Sequence, residues 1–481
     1  MITSAVLNLG GVAPQLIVAG TGMLVMILDA VFRRSGKRWA AYLALLGLAA
    51  GLGWIAVSGL RVQQAFDGAL AADGLSTGVA VVLLLAGCLS ILLAMDYLRR
   101  EGLEHAEYYA LILFATAGAL AMAAAADLIV MFIGLEVLSI SLYVLSGFAK
   151  GDPASREAAL KYLLLGAFAS AFLLYGIAML YGAAGTTRLA AMAVAVKVPG
   201  TPTVLLWAGI CLVTVGLGFK LALVPFHTWA PDVYQGAPTP VTAFMSVTSK
   251  AATFAALLRL LLVALGPAQA LTGTVLAVLA VLTMTVGNIL ALAQDEVKRL
   301  LAYSSIAQAG YVLVALAGGG NLAPSAVLFY LLGYALTNLG AFAVIIVWGR
   351  QGESRVPLAD LAGLGFKRPW MAAALTLFLL SLAGIPLTAG FMGKLYLFSA
   401  AVQAGWVWLA IVAVLNSVVA AFYYLHVVVV MYMREPVLPP VSGRPSLALG
   451  VAVVVCVAGV LVLGLVPGPV LEWARQALAL L

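Results

Sequence analysis

Apolar runs recur along the whole chain, and each is long enough to cross a lipid bilayer. A membrane-spanning helix needs about 20 mostly apolar residues, and this chain of 481 residues is 64% hydrophobic and only 9% charged. Fourteen such runs lie at about residues 14–31, 39–60, 73–97, 107–125, 127–148, 158–182, 203–225, 241–264, 269–293, 300–318, 323–348, 370–398, 403–432 and 447–467. No stretch between them is long enough to form a soluble domain. The sequence predicts an all-α integral membrane protein, with residues 1–481 forming one polytopic membrane domain.

The basic residues of the loops predict an orientation. Lysine and arginine favour cytoplasmic loops, and alternation from a cytoplasmic first loop places sixteen of them in the cytoplasm against four opposite. The sixteen are Arg33, Arg34, Lys37, Arg38, Arg99, Arg100, Lys150, Arg156, Lys298, Arg299, Arg350, Arg355, Lys367, Arg368, Arg434 and Arg444, and the four are Arg61, Arg188, Lys197 and Arg475. Both termini are therefore expected on the non-cytoplasmic side. The net charge of +7 reflects membrane orientation rather than nucleic-acid binding.

Residues that hold metals or redox groups are sparse. The three cysteines are isolated, and His105, His227 and His426 are scattered along the chain. No glycine-rich phosphate loop follows a strand, and no strand is expected at all. We therefore expect no metal, nucleotide or redox cofactor to bind this chain.

A weak internal repeat suggests two related halves. The segment KYLLLGAFASAF from Lys161 resembles FYLLGYALTNLGAF from Phe329, and some sixty residues after each comes an apolar run interrupted by Pro225 or Pro386. Proline removes a backbone donor, and the freed carbonyls in a membrane are tolerated only against protein or a water-lined cavity. Paired broken helices are typical of transporters with repeats. We predict repeats over about 107–264 and 269–432, inverted because each has five helices.

Four lysines and one glutamate lie inside apolar runs. They are Lys161, Lys220, Lys250, Lys394 and Glu136. Each such group costs roughly 2.5–3.5 kcal/mol at the centre of a membrane helix, so packing alone does not explain them. The spacing places Glu136 and Lys250 near the middle of their helices and puts Lys220 and Lys394 beside the two breaks. Lys161 is nearer a helix end, where its charge can reach the surface.

This constellation suits proton transfer. Burial favours a neutral amine, and a nearby carboxylate favours the charged one, so Lys220 could gain and release a proton as Glu136 approaches or withdraws. Two structural alternatives stay open: Glu136 and Lys220 as a static ion pair, and lysines that reach the membrane surface. His227 and His426 are secondary relay candidates. Arg259, Asp29 and Asp127 lie near span ends and are expected to be interfacial anchors.

Two long motifs carry a family likeness. GFKLALVPFHTWAPDVYQGAPTPVTAFMSVTSKAATF, beginning at Gly218, and DEVKRLLAYSSIAQAGYVL, beginning at Asp295, resemble the antiporter-like membrane subunits of respiratory complex I, the proton-pumping NADH:quinone oxidoreductase. The same family includes subunits of multisubunit Na⁺/H⁺ antiporters and of membrane-bound hydrogenases. The resemblance implies fourteen helices with two inverted five-helix repeats, and with the seventh and twelfth helices broken.

Among paralogues, the chain is most similar to the N-type subunit. Lys250 stands where the L type has histidine, and Lys394 stands where the M type usually has glutamate. The sequence ends soon after its fourteenth predicted span, so we do not expect the long lateral helix of the L type. The resemblance implies that Glu136 and Lys220 form the input pair, Lys250 the central relay and Lys394 the exit. Lys161 matches a further relay lysine. Gln308 replaces a histidine that is common in the family; it cannot titrate but can support a water wire.

The resemblance also implies partners and location. The expected function is proton translocation within a redox-driven complex, and the alternative is a subunit of a multisubunit Na⁺/H⁺ antiporter without redox coupling. NADH, FMN, iron–sulfur clusters and quinone are expected in other subunits, and M-type and K-type subunits are the expected neighbours. The composition, with 16 arginines to nine lysines, suggests a bacterium with a GC-rich genome and therefore its inner membrane.

Overall fold

The described part of the chain is almost entirely helical. A computed structural model describes residues 8–32, 37–60, 62–198, 202–266, 269–349, 356–436 and 446–479. Six of the loop arginines used above to predict orientation lie outside these ranges: Arg33, Arg34, Arg61, Arg350, Arg355 and Arg444.

Nineteen α-helices follow one another along the described residues. The first ten are α1 (Ala13–Phe32), α2 (Arg38–Ser58), α3 (Gly74–Arg100), α4 (Ala106–Ala124), α5 (Leu128–Ser146), α6 (Pro153–Ala184), α7 (Leu189–Ala195), α8 (Thr203–Leu221), α9 (Trp229–Gly236) and α10 (Thr239–Arg259), and α10 continues as a π-helical turn over Leu260–Ala264. The remainder are α11 (Gln269–Leu292), α12 (Val297–Gly318), α13 (Ala323–Trp348), α14 (Leu364–Lys367), α15 (Pro369–Ala383), α16 (Ala389–Gln403), α17 (Val407–Met433), α18 (Leu447–Leu465) and α19 (Gly468–Leu478), with a 3₁₀ turn at Leu358–Leu361.

The helices agree with the predicted membrane spans. Among the described residues, thirteen helices are long and apolar enough to cross a membrane, and each coincides with one of the predicted runs. The remaining run, at 370–398, forms two helices of 15 residues each, α15 and α16. The predicted all-α membrane class is confirmed. The count of fourteen spans and the inverted repeats stay predictions.

Both predicted helix breaks are confirmed. The helix that contains Lys220 ends at Leu221, and the chain resumes helical structure only at Trp229. The second break separates α15 from α16, and in it Gly384 has a φ of 90° and Leu387 a φ of 72°. Pro225 and Pro386 lack the backbone N–H that would continue the helix. Each break therefore lies where a proline interrupts an apolar run.

The expectation that the chain contains no strand is wrong at one place. Strands β1 (Gln63–Ala65) and β2 (Leu70–Ala72) form an antiparallel hairpin between α2 and α3. Phe66, Asp67 and Gly68 have positive φ and turn the chain sharply. Because a connecting segment must still pair its backbone groups, this short stretch forms its own ladder. Such a hairpin is too short to stand out in an apolar sequence.

Arg259 is also placed differently from the prediction. It was expected at the membrane interface, but its side chain is 4% exposed and forms an ion pair with Asp73, which is 6% exposed. The two guanidinium contacts measure 2.6 and 2.9 Å. A charge near the end of an apolar run can face either lipid headgroups or a partner on another helix. Only the packing of α10 against α3 decides between them.

The most buried helices lie at the centre of the described structure. The apolar windows of α12 and α13 are each 94% buried, and that of α10 with its π turn is 83% buried. The corresponding values are only 17% for α1 and 28% for α17. The central helices therefore form the interior, and many of the buried polar side chains lie on them.

Candidate functional site

Lys220 lies in the last turn of α8, beside the first helix break, and is 3% exposed. Its ammonium donates hydrogen bonds to the Ser139 hydroxyl of α5 at 2.8 Å and to the Tyr162 hydroxyl of α6 at 3.0 Å. The amine also lies 5.1 Å from the centre of the Tyr162 ring, within cation–π range. Lys220 is thus held at a helix C-terminus, where a positive charge is favoured.

A tryptophan side chain donates a hydrogen bond to a backbone carbonyl at this break. The Trp229 indole N–H donates to the carbonyl of Phe219 at 2.9 Å, and the Trp229 ring stacks on Tyr162 with centroids 4.5 Å apart. Pro225 cannot donate to the carbonyl of Leu221, four residues before it. The break is therefore stabilised by side chains around Lys220, while Lys220 itself binds hydroxyl groups.

Glu136 is near Lys220 but does not form an ion pair with it. Its carboxylate is half-buried and accepts a hydrogen bond from the Ser170 hydroxyl at 2.5 Å. Among the described residues, no ion pair within 4.0 Å joins Glu136 to Lys220. Ser139, which binds Lys220, follows Glu136 by three residues and so shares its helix face. The direct pair considered from the sequence is absent here, and one turn of α5 connects the two groups.

Lys250 lies in the middle of α10 and is 3% exposed. Its ammonium donates to the backbone carbonyl of Ser305 on α12. The Ser305 hydroxyl in turn bonds to the Tyr334 hydroxyl of α13 at 2.7 Å. The predicted mid-helix position of Lys250 is confirmed, and its amine sits where the three most buried helices meet.

Lys394 binds the end of α15 at the second helix break. Its ammonium donates to the carbonyls of Leu382 and Ala383, each at 3.0 Å, and lies 4.5 Å from the centre of the Tyr311 ring. These carbonyls are the last of α15, whose C-terminal dipole favours a positive charge. Glycine suits this point because Gly384 has a φ of 90°, which strains other residues, and a Cβ there would also lie 3.0 Å from the Lys394 side chain. Lys394 is 5% exposed.

Buried polar groups lie between Lys250 and Lys394. On α12, Gln308 lies one turn after Ser305, and its amide N–H donates to the Leu382 carbonyl at 3.0 Å and to the Tyr424 hydroxyl at 3.2 Å. The Tyr330 hydroxyl donates to the Gln308 carbonyl oxygen. Ser305 and Gln308 therefore lie one turn apart on α12: the carbonyl of the first binds Lys250, and the amide of the second shares the Leu382 carbonyl of α15 with Lys394.

Lys161 differs from the three buried lysines because it has carboxylate partners. Its ammonium pairs with Glu157 at 2.6 Å and with Asp232 at 2.8 Å, and its side chain is 40% exposed. Asp232 also pairs with Arg299 at 2.7 Å. Asp232 was not singled out from the sequence, although an acidic residue in the short helix after a break was a visible signal. It ties α9 to α6 and α12.

Lys298 was placed in a loop by the sequence analysis but is buried. It is 1% exposed and donates to the carbonyls of Gln235 and Ala237 at 2.6 and 2.9 Å. It lines a cavity of about 390 Å³ together with Glu101 and Asp152. This cavity lies at the end of α9, on the side predicted to be cytoplasmic.

The two histidines proposed as secondary relays are less well connected. His227 lies in the first break, and its buried Nδ1 has no hydrogen-bond partner among the described residues. His426 is half-buried on α17, and no hydrogen bond joins it to a relay lysine in the described ranges. Within those ranges, no group of three or more His, Cys, Asp or Glu side chains could hold a metal ion.

The fold and these residues define a class of protein. Discontinuous helices with ionisable side chains buried beside the breaks are typical of polytopic membrane proteins that move ions. The profile of one such family, described as "NADH:quinone oxidoreductase/Mrp antiporter, TM", matches residues 125–420.

Individual relatives agree with the family match. A protein named NADH-quinone oxidoreductase subunit N from Trichlorobacter lovleyi is 47% identical over 477 residues, which cover 99% of this chain and 98% of that one. A chain of respiratory complex I from Thermus thermophilus is 39% identical, with a TM-score of 0.82, and the match covers 96% of this chain and 99% of that one. A chain of the Mrp complex from Dietzia is 25% identical, with a TM-score of 0.84 and coverage of 98% and 97%. This chain belongs to the NADH:quinone oxidoreductase/Mrp antiporter membrane-subunit family.

Proposed function

We propose that this chain is the N-type membrane subunit of a proton-pumping NADH:quinone oxidoreductase and that it passes protons through Glu136, Lys220, Lys250 and Lys394. One observation carries the relay assignment: the three lysines are buried and bind only hydroxyl or carbonyl oxygens. Among the described residues, none of the three has a carboxylate within 4.0 Å.

The contrast with Arg259 supports this assignment. A close counter-ion keeps a buried side chain charged, and Arg259 has one in Asp73. An amine without such a partner can exist in either protonation state at moderate cost, since burial penalises only its charged form. Hydroxyl groups both donate and accept, so they can bind the amine in either state. The buried lysines are therefore suited to receiving and releasing protons.

The proposed order follows the family resemblance from Glu136 to Lys220, then Lys250, then Lys394. Glu136 and Ser139, which binds Lys220, lie one turn apart on α5. Gln308 lies one turn along α12 from the Ser305 carbonyl that binds Lys250, and it shares the Leu382 carbonyl with Lys394. Water supplies the steps that are longer than a hydrogen bond. The cavity beside Lys298 lies at the end of α9, and in this proposal cytoplasmic water enters there.

Three further groups enter the proposal as secondary relays. Lys161 is placed for this by its contact with Asp232 on α9, and His227 by its position in the first break. His426 has the weakest support, since it follows Tyr424 by two residues on α17 but does not join the network around Gln308.

We also propose the setting of the subunit. NADH oxidation and quinone reduction, with FMN and iron–sulfur clusters, take place in other subunits, and this chain contributes translocation without redox chemistry. M-type and K-type subunits flank it in a bacterial inner membrane, with both termini on the non-cytoplasmic side. The membrane domain contains inverted repeats over about 107–264 and 269–432. The Mrp-type alternative has less support, because the Mrp chain is 25% identical and the subunit N relative 47%.

The test uses inverted membrane vesicles with the intact complex. Lys220→Ala and Glu136→Gln are expected to assemble but to slow NADH-driven proton pumping strongly, as measured by acidification of the vesicle interior. Lys150→Ala is the matched control, because Lys150 is an exposed loop lysine. If pumping and NADH oxidation in Lys220→Ala both match the control, the relay assignment is wrong. Unchanged pumping in Glu136→Gln would make Glu136 a passive group.

A further inference from the structure

The carbonyl of Leu382 occupies an unusual position at the second helix break. In a continuous helix it would accept from the N–H of residue 386, but that residue is proline and has no N–H. A buried carbonyl without a donor destabilises the fold. Two side chains satisfy it: the Lys394 ammonium at 3.0 Å and the Gln308 amide at 3.0 Å. Gln308 and Lys394 are therefore joined through one oxygen atom.

The Gln308 amide has only one workable orientation. Its nitrogen must face Leu382, because a carbonyl oxygen accepts and cannot donate. Its own oxygen then faces Tyr330, whose hydroxyl donates to it. The nitrogen also donates to the Tyr424 hydroxyl at 3.2 Å. Gln308 is 2% exposed, so these partners hold it without competition from bulk water.

We propose that Gln308 is a positioning residue for Lys394: by binding the carbonyl that Pro386 leaves without a backbone donor, it fixes the end of α15 and with it the place of the Lys394 amine. This inference rests on the proposed function, in which Lys394 releases protons. A carboxamide does not titrate near neutral pH, so Gln308 contributes geometry rather than a proton-carrying group. It ties the break to α12, the helix whose Ser305 carbonyl binds Lys250.

The two breaks differ in which side chains bind the freed backbone carbonyls. At the first break, the Trp229 indole donates to the carbonyl of Phe219, and Lys220 binds hydroxyl groups of other helices. At the second break, Lys394 itself binds the freed carbonyls. A lysine that caps a helix end and also exchanges protons needs a second donor that keeps the carbonyl in place. Gln308 is that donor.

The experiment compares four variants of the intact complex in inverted vesicles. Gln308→Met keeps the length of the side chain but removes both hydrogen-bonding functions, and loss of one buried hydrogen bond corresponds to about a tenfold slower pumping rate. Gln308→His restores one donor and one acceptor, so we expect pumping within about threefold of wild type. Gln308→Met added to Lys394→Ala should cause no further loss beyond about twofold, because the two residues act through one carbonyl. Complex content is measured in each case by the amount of this subunit in purified complex.

The outcomes separate a positioning role from a structural one. If Gln308→His pumps as slowly as Gln308→Met, or if Gln308→Met slows Lys394→Ala further, Gln308 does not act through Lys394. If Gln308→Met fails to assemble, Tyr330→Phe tests the same idea, since it removes only the hydroxyl that orients the amide; it should slow pumping in wild type and not in Lys394→Ala. Wild-type pumping in Lys394→Ala would overturn the proposed function itself, whereas normal Gln308→Met with defective Lys394→Ala overturns only this inference.

Discussion

Breaking the buried ion pair between Arg259 and Asp73 should strongly destabilise the subunit, and Asp73→Asn isolates this effect. Asp73 has two roles, because its carboxylate also accepts from the backbone N–H of Ser76 and so caps the N-terminus of α3. Asparagine is as good a helix cap as aspartate. The substitution therefore keeps the cap and removes only the counter-ion of Arg259.

The contacts of Arg259 indicate how much stability Asp73→Asn should remove. Arg259 makes two contacts with Asp73 and one with the Ala123 carbonyl at 3.2 Å, and its Nε has no partner among the described residues. Removing one member of a buried pair costs about 3–5 kcal/mol in free energy of unfolding. Unfolding entropy is about 2.1 cal/mol/K per residue. For a chain of this length, the unfolding midpoint should fall by roughly 3–5 °C.

The assay heats purified complex in detergent and measures how much of this subunit remains soluble and assembled. Asp96→Asn is the matched control: it removes an exposed pair with Arg99, whose side chain is 54% exposed, and exposed pairs contribute less than about 1 kcal/mol. Asp73→Asn combined with Arg259→Met should recover much of the loss, since no charge is left unpaired. A midpoint for Asp73→Asn equal to that of Asp96→Asn would refute the reasoning. Below its midpoint Asp73→Asn should pump normally, unlike the relay variants.

Three further predictions concern the site. Tyr162→Phe keeps the ring beside Lys220 but removes a hydrogen-bond acceptor, so the NADH-driven pumping rate should fall about tenfold; wild-type pumping would show that the hydroxyl is dispensable. Gly384→Ala places a Cβ 3.0 Å from the Lys394 side chain at a φ of 90°, so it should reduce pumping in assembled complex. Normal pumping would mean that the Lys394 amine keeps its position when residue 384 carries a methyl group. Asp232→Asn breaks half-exposed ion pairs, so it should lower the unfolding midpoint by less than about 2 °C while slowing pumping as much as Lys161→Ala; a rate above that of Lys161→Ala would contradict a shared role.

Much of the architecture could be predicted because a membrane imposes strong constraints on sequence. The bilayer requires long apolar helices, so their positions are visible as apolar runs. Prolines mark the breaks because each one leaves a backbone carbonyl without its donor, and lipid cannot supply another. The buried lysines stand out because few ionisable residues occur in such runs. The burial of Lys220, Lys250 and Lys394 agrees with this prediction.

Besides the missed β-hairpin, the predictions that failed concern partners on other helices. Arg259 and Lys298 looked like surface charges, but one pairs with Asp73 and the other with carbonyls near the end of α9. The distance between Glu136 and Lys220 could not be predicted either, because it depends on how α5, α6 and α8 pack. A run of apolar residues does not specify which face of a helix packs against which neighbouring helix.

The amino-acid sequence by itself determined the class of the protein, the location of its membrane helices, both breaks and the ionisable residues within them. These features follow from local chemistry: hydrophobicity over about 20 residues, a proline without an N–H, and charge where apolar residues dominate. Only the tertiary structure decided that the three lysines lack close carboxylates in the described part of the chain, that Arg259 has one, and that Gln308 shares a carbonyl with Lys394. Such relations arise from side chains that are far apart in sequence, and helix packing alone brings them within hydrogen-bonding distance.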